Sequence, residues 1–497
     1  MSLSHLLSRR AFLVQGALAG VSANAVTVAP SPQTPAAQTP TPQATSDVQP
    51  STPPATRILA DWLVSSPPSA VPDNVRKEAV RSIVNWVGVT VGGSGQQAVV
   101  RALATLQPYT GTSSAHLFGR PETLDPLRAA LITGISSHVL DYDDTHLETI
   151  IHPAGPVASA LFSLAQTRLV SGADLLHAFI LGTEIECRLG KAIYPSHYDM
   201  GWHITGTCGA FGAAAACGRI LGLNPQQMRW ALGIAATEAA GLKIMFGSMS
   251  KSLNIGRAAE NGLLAALLAA SNFTSSDESI EGHEGYIFAA SRQHNYAPLL
   301  DGLGQHYEIV LNTYKPFACG IVIHPVIDGV LQLRNQHNLK APEIRSIAIR
   351  ANPLVLELTG KKTPTTGLEA KFSVFHSAAV ALLRGFAGEK EYTDEAARDP
   401  QVVALRERVY VSVDPAIRTD EAYITITTTG GQTFTKHVEH AVGSVQNPLT
   451  DKDLSFKFTQ LATGILPPAQ IEELLTFAWN LPEQHNAGDL PRLGSIA

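Results

Sequence analysis

Cysteine is scarce in this chain: four residues in 497, namely Cys187, Cys208, Cys217 and Cys319. None stands in a C-x-x-C pair, which argues against a zinc knuckle or a disulfide framework and leaves buried apolar thiols. Charge is sparse as well. Charged residues make up 16% of the chain, the net charge is −6 and there is no long basic run, so nucleic acid is not an expected partner. Several catalytic signatures are missing. There is no G-x-S-x-G elbow, no glycine-rich phosphate loop and no H-x-x-x-H helix pair. Their absence argues against an α/β-type serine hydrolase, P-loop and dinucleotide cofactors, and a helix-borne zinc site.

Apolar residues are abundant, at 45%. That balance suits a large buried core. The N-terminus reads differently. Ser8-Arg9-Arg10-Ala11-Phe12-Leu13 is a twin-arginine pattern, followed by a short apolar stretch and the small-residue site Ala23-Asn24-Ala25. We read residues 1–25 as a Tat export signal, which implies a periplasmic protein; the apolar stretch is too short to span a membrane. Residues 26–55 are rich in Pro, Thr, Gln and Ala and read as a disordered linker.

From residue 56 to about 305 apolar residues recur at helical spacing. Asp125-Pro126 opens one helix as cap and first residue. Gly209-Ala-Phe-Gly-Ala-Ala-Ala-Ala-Cys217 is apolar nearly all round, which places its helix inside a bundle or at a subunit contact. The pattern changes over 306–440. Ile344–Ile349, Arg408–Val413 and Ala422–Thr428 alternate as strands, and Gly430-Gly431 before Thr433–Val438 signals a hairpin. A helix pattern at 368–383 lies between them, and residues 441–497 return to helix. The expected fold is mainly α, with helical stretches on either side of a separate α+β unit.

Three segments carry the chemistry. The densest is His138-Val-Leu-Asp141-Tyr-Asp143-Asp144-Thr145-His146-Leu-Glu148, ending in His152-Pro153. So many ionisable groups beside an apolar helix are costly to bury without a purpose. Asp143 and Asp144 also suit a helix-stopping turn. Pro153 presets a helix, placing His152 at its N-terminal end, where an anion is welcome. His203 likewise opens the Gly/Ala-rich helix. Lys251 lies in the turn-rich stretch Gly247-Ser-Met-Ser-Lys-Ser-Leu-Asn-Ile-Gly256, where few carboxylates are near in sequence, so its ammonium is free for an anionic ligand. The acidic run could also ligate a divalent ion, but it has no defined ligand spacing, and we expect no metal. Imidazoles, carboxylates and an ammonium together suit acid/base work on a small anion.

These stretches, with Tyr314-Lys315-Pro316, His324-Pro325 and Glu369-Ala-Lys-Phe-Ser-Val-Phe-His376, resemble the MmgE/PrpD family. It includes 2-methylcitrate dehydratases, cis-aconitate decarboxylases and an iminodisuccinate epimerase. The resemblance implies an all-helical domain built from the N-terminal half plus the C-terminal tail with an inserted α+β lid, no metal or organic cofactor, and a homodimer. It implies a lyase acting on a small di- or tricarboxylate. Asp141, His152, His203 and Lys251 would be catalytic, and Thr145, His324 and Lys251 would bind substrate. His376 stands where the decarboxylase branch carries a lid tyrosine, and would supply the acid as the lid closes. Two other readings use the same groups: an epimerase moving one proton between faces of a carbon, and a periplasmic protein that binds a carboxylate without turning it over.

Overall fold

The computed structural model describes residues 52–496. The export signal and most of the linker lie outside the described residues.

Local chemistry sets the helix ends. Asp125 caps the Pro126–His138 helix by accepting from the backbone N–H of Leu127 and Arg128, with Pro126 at its first position. Asn224 and Gln227 form a reciprocal capping box at the start of Pro225–Glu238. The Ile204–Leu221 helix ends at Gly222, whose φ of 70° is the left-handed cap that glycine adopts without strain.

The helical part is built around Ile204–Leu221, which packs against Gly172–Ile193 and Ser250–Ala270. This helix is long and apolar enough to cross a membrane, yet 83% of that stretch is buried inside the protein, as a core helix is. Ser250–Ala270 also crosses Pro126–His138 closely. A Cβ on Gly134 would lie 2.7 Å from Cα of Gly256, so only glycine permits this crossing. The contact fixes where the end of one helix, His138, meets the start of the other, Lys251. The C-terminal helix Asp451–Ala462 returns to pack on Asp73–Gly93, as the tail pattern implied.

Between these lies a four-stranded sheet. Its order is Val409–Val413, Ile344–Ala351, Ala422–Thr428, Thr433–Val438, with the first pair parallel and the others antiparallel. Ile347, Ile349 and Ala351 are buried on one face with a period of two, and a register shift between Ile344 and Ser346 brings Ile344 into the core as well. Helices His324–His337 and Val374–Arg384 pack with the sheet. One apolar cluster runs from Leu131, Ile135 and Val139 through Phe317 and Ile323 to Ile347 and Ile424, joining the helical part to the sheet unit. The fold is mainly α with an inserted sheet, as the sequence patterns imply.

A small ladder ties distant segments together. Asp144–His146 pairs antiparallel with Asn312–Tyr314, with Asp144 opposite Tyr314. This pairing brings Lys315 beside the acidic run.

Candidate active site

Asp141 follows the Pro126–His138 helix with a φ of 51°, a left-handed conformation that Asp tolerates better than most residues. Its Oδ1 accepts from two ammonium groups, Lys251 Nζ at 2.7 Å and Lys315 Nζ at 2.8 Å. Lys315 also reaches the Asp141 carbonyl at 3.2 Å and stands 3.9 Å from Asp143. All four groups are buried. Lys251 is therefore paired, which corrects the sequence-based view of it as an unpartnered ammonium. It also sits on the first turn of the Ser250–Ala270 helix and not in a loop. A cation at a helix N-terminus meets an unfavourable dipole.

The two lysines differ although they share a carboxylate. Burial pulls Lys251 below its usual range, outweighing the attraction of Asp141, and Lys315 adds repulsion. Burial acts on Lys315 too, but there Asp141 and Asp143 together outweigh it and hold the ammonium above its usual range. Burial alone would raise Asp141; Lys251 and Lys315 instead hold it well below the usual carboxylate range.

The imidazoles are oriented by named partners. His152 Nδ1 donates to the Asp144 carbonyl at 2.7 Å and lies 3.2 Å from Thr145 Oγ1, so its other nitrogen is left as an acceptor. Its backbone N–H donates to Thr205 Oγ1 at 3.1 Å. His203 precedes the Ile204–Leu221 helix, and Asn254 Nδ2 donates to its Nδ1 at 3.0 Å. Its proton then resides on Nε2, as a donor. Burial holds both rings well below the usual imidazole range, so they are neutral at pH 7. One is thus an acceptor and the other a donor.

Asp141, His152, His203, Lys251 and Lys315 line one cavity. The apolar part of the lining is Ile321, Val322, Leu358 and Phe372 from the inserted unit, joined by Phe246. Phe246 and Phe372 stack at 5.6 Å, and Lys251 Nζ stands 5.3 and 5.1 Å from their ring centres.

Models of two family domains match this chain. The MmgE/PrpD N-terminal domain covers residues 57–299 and the MmgE/PrpD C-terminal domain covers 317–482. The chain belongs to the MmgE/PrpD family. Among its curated relatives, the mouse cis-aconitate decarboxylase is 29% identical over 445 residues, covering 85% of this chain and 89% of that protein. The Aspergillus terreus cis-aconitate decarboxylase is 27% identical over 456 residues, 84% of this chain and 91% of that protein. The human cis-aconitate decarboxylase is 28% identical over 442 residues, 85% and 90% respectively.

Of the residues singled out in this family member's sequence, Asp141, His152, His203 and Lys251 meet at the cavity, with Thr145 supporting His152. His324 is buried behind it. Its Nε2 lies 3.4 Å from the Cys319 carbonyl, its ring packs edge-on against Phe317, and burial with Lys315 nearby pushes it down to about 3. His376 does not border the cavity. Ser373 caps its helix, and the ring turns inward, with Nε2 2.8 Å from the Glu391 carbonyl. The inserted unit meets the cavity with apolar side chains and not with this imidazole, so the acid role given to His376 needs another group.

Lys315 and His138 were not singled out. Lys315 lies in Tyr314-Lys315-Pro316, and a lysine flanked by apolar residues is itself a signal of a buried charge. His138 Nδ1 donates to Asp143 Oδ2 at 2.6 Å, and its ring centre is 4.9 Å from that of His152.

Among the described residues, two clusters have ligand atoms close enough to hold a metal ion. The ligand atoms of His138, Asp143 and His152 lie within 4.8 Å of one another. They are engaged with each other and with the Asp144 carbonyl, and the Lys315 ammonium stands beside them. In the second group, His146, Glu148 and Glu308, Lys191 Nζ already bridges the carboxylates at 3.1 and 3.0 Å. Both sets read as hydrogen-bonded ion-pair networks.

Proposed function

We propose that this protein is a lyase acting on a small polycarboxylate, and that it removes a carboxylate as carbon dioxide. The observation that carries this reading is the cavity's division into a wall with two ammonium groups and a wall of aromatic and aliphatic side chains. A carboxylate held by Lys315 and the His203 N–H keeps its charge. A second carboxylate pressed against Phe246, Phe372 and Leu358 loses its hydration, and release as neutral CO₂ relieves that cost. The family relatives named as cis-aconitate decarboxylases favour the same chemistry.

The step balances as follows. The bond between the leaving carboxylate and its neighbouring carbon breaks. Its electron pair moves into an adjacent C=C bond and toward a retained carboxylate, as an enolate-like charge. The His203 N–H stabilises that charge, while Lys315 holds the retained carboxylate equally before and after the bond breaks. Lys251 donates a proton to the carbon at the far end of the displaced double bond. Lys251 suits this donor role because burial lowers its proton affinity, whereas Lys315 keeps its proton throughout. Asp141 holds both ammonium groups in place, His152 offers the substrate a hydrogen-bond acceptor, and Lys251 regains its proton from water once the product leaves, so that one proton is taken up for each CO₂ released.

A product assay by NMR across tricarboxylates and dicarboxylates, with the purified protein in heavy water, tests the reading. Release of CO₂ with one deuterium on the product carbon is expected. Loss of water without CO₂ would make the protein a dehydratase, exchange of a hydrogen without net loss an epimerase, and binding without product a binding protein; each would overturn decarboxylation. We further propose export through the twin-arginine pathway and a homodimeric assembly. A reporter fused to residues 1–30 that stays in the cytosol, and light scattering that gives a monomer mass, would contradict these in turn.

A further inference from the structure

The cavity has room for only about two waters as it stands, so a polycarboxylate enters only if part of the lining moves. Asp141, His152 and His203 are buried at helix ends, and one continuous apolar cluster joins the inserted unit to the helical part. Moving either would break core packing. One piece of the lining differs. Residues 242–246 form a strap between the Pro225–Glu238 and Ser250–Ala270 helices. Phe246 borders the cavity, while Ile244, two residues away, is 81% exposed. A single thickness of chain therefore separates the cavity from solvent here. Among the described residues, no apolar side chain of the strap belongs to an apolar core cluster.

Glycines flank the strap on both sides. Gly241 has a φ of 133° and Gly247 a φ of 86°, conformations that other residues enter only under strain. Two backbone hydrogen bonds tie down the start of the strap. The Lys243 N–H donates to the Gly201 carbonyl at 2.8 Å, and the His203 backbone N–H donates to the Gly241 carbonyl at 3.0 Å. The contacts that close the mouth are made by side chains. Lys243 Nζ donates to Glu357 Oε1 of the inserted unit at 3.0 Å and lies 4.1 Å above the ring of Tyr198, which itself lines the cavity. Phe246 stacks on Phe372 and meets the His203 ring edge-on at 5.0 Å. Glu357 is half exposed and immediately precedes Leu358 and Thr359 of the lining. The ion pair thus spans the mouth from the strap to the inserted unit, and a pair this exposed to solvent is weak.

We propose that residues 242–246 are the gate of the cavity. The strap swings out on Gly241 and Gly247, with Lys243 and Glu357 as its latch, while the inserted unit stays docked. Opening carries Phe246 off the cavity and uncovers Tyr198. The inference rests on the lyase reading only for what enters, and the motion itself is measured without turnover.

Thr359→Cys places a thiol on the lining, where Thr359 is 1% exposed, against a background of four buried native cysteines. Its alkylation by iodoacetamide in the full chain reports how often the strap is open. Adding Lys243→Met speeds alkylation about tenfold and adding Glu357→Gln about threefold, the first more because it also loses the Tyr198 ring. The two together are no faster than Lys243→Met alone. Hydrogen exchange needs no introduced thiol. In Lys243→Met it rises at the amides of Met245 and Phe246 and stays at the parent rate in the Ile344–Ala351 strand. Alkylation at the parent rate in every variant overturns the proposal. Faster exchange in strap and strand alike also overturns it, since the inserted unit would then be the moving part. A strap that opens in this way in a protein that turns over no polycarboxylate leaves the gate standing and sinks the lyase reading alone.

Discussion

The two walls of the main cavity come from different parts of the molecule and differ in kind. The helical part contributes Asp141, His152, His203 and Lys251, each fixed at a helix end or the turn beside it. The inserted unit contributes Ile321, Val322, Leu358 and Phe372. Lys315 bridges the two, because the short ladder of Asp144–His146 with Asn312–Tyr314 delivers it to Asp141. Chemistry resides on one side and water exclusion on the other. The imidazole that the inserted unit carries, His376, is used internally.

Substitutions on the two sides should therefore differ in size. Asp141→Ala leaves two buried ammonium groups without their partner, and we expect a loss of about 3–5 kcal/mol in stability together with activity, read by thermal melting and turnover. His203→Ala removes one donor to the developing charge, and turnover falls by about 10²–10³, with the melting temperature close to the parent's. Leu358→Ser, on the apolar wall, admits water and lowers turnover about tenfold by weakening the electrostatics inside. His376→Gln keeps a donor toward the Glu391 carbonyl; turnover stays within about twofold, because that ring touches no substrate. A loss in His376→Gln as large as that in His203→Ala would erase the distinction between the walls.

Acid stability sharpens the same contrast, since imidazoles on both sides are buried neutral. Burial holds His138, His152 and His203 well below the usual range. It pushes His197 and His376 down to about 4 and His324 to about 3. In the unfolded chain each takes a proton near 6.5, so below that pH the unfolded state binds more protons and stability falls. Asp144 and Glu184, pushed up by burial to about 7, take protons first in the folded state and offset part of this loss. Melting temperatures should drop between about pH 7 and pH 5; a flat profile would mean that these rings titrate normally.

Much of this was legible in the sequence. Alternation marked three strands of the large sheet and the Gly430-Gly431 turn the fourth, and composition marked the buried Ile204–Leu221 helix. Asp141, His152, His203 and Lys251 stood out as polar residues beside apolar helices. What was not legible depended on long-range pairing. Asp143 and Asp144 looked like turn formers, yet Asp144 accepts from Ser82 and Asn312, and Asp143 from His138. Lys251 looked unpaired because Asp141 is 110 residues away, and Lys315, though part of a family-like stretch, was given no role because the same partner is 174 residues away. His376 lies on the expected helix, but the partner that holds its ring, the Glu391 carbonyl, is not encoded in sequence spacing.

The central claim is that two ammonium groups on one carboxylate do different work, Lys251 as proton donor and Lys315 as fixed charge. Steady-state kinetics of Lys251→Met and Lys315→Met on the turned-over polycarboxylate tests it most directly. The account predicts that Lys251→Met lowers kcat by about 10²–10⁴, while Lys315→Met acts mainly by raising KM. A Lys251→Met protein that is folded and turns over as fast as the parent would contradict it.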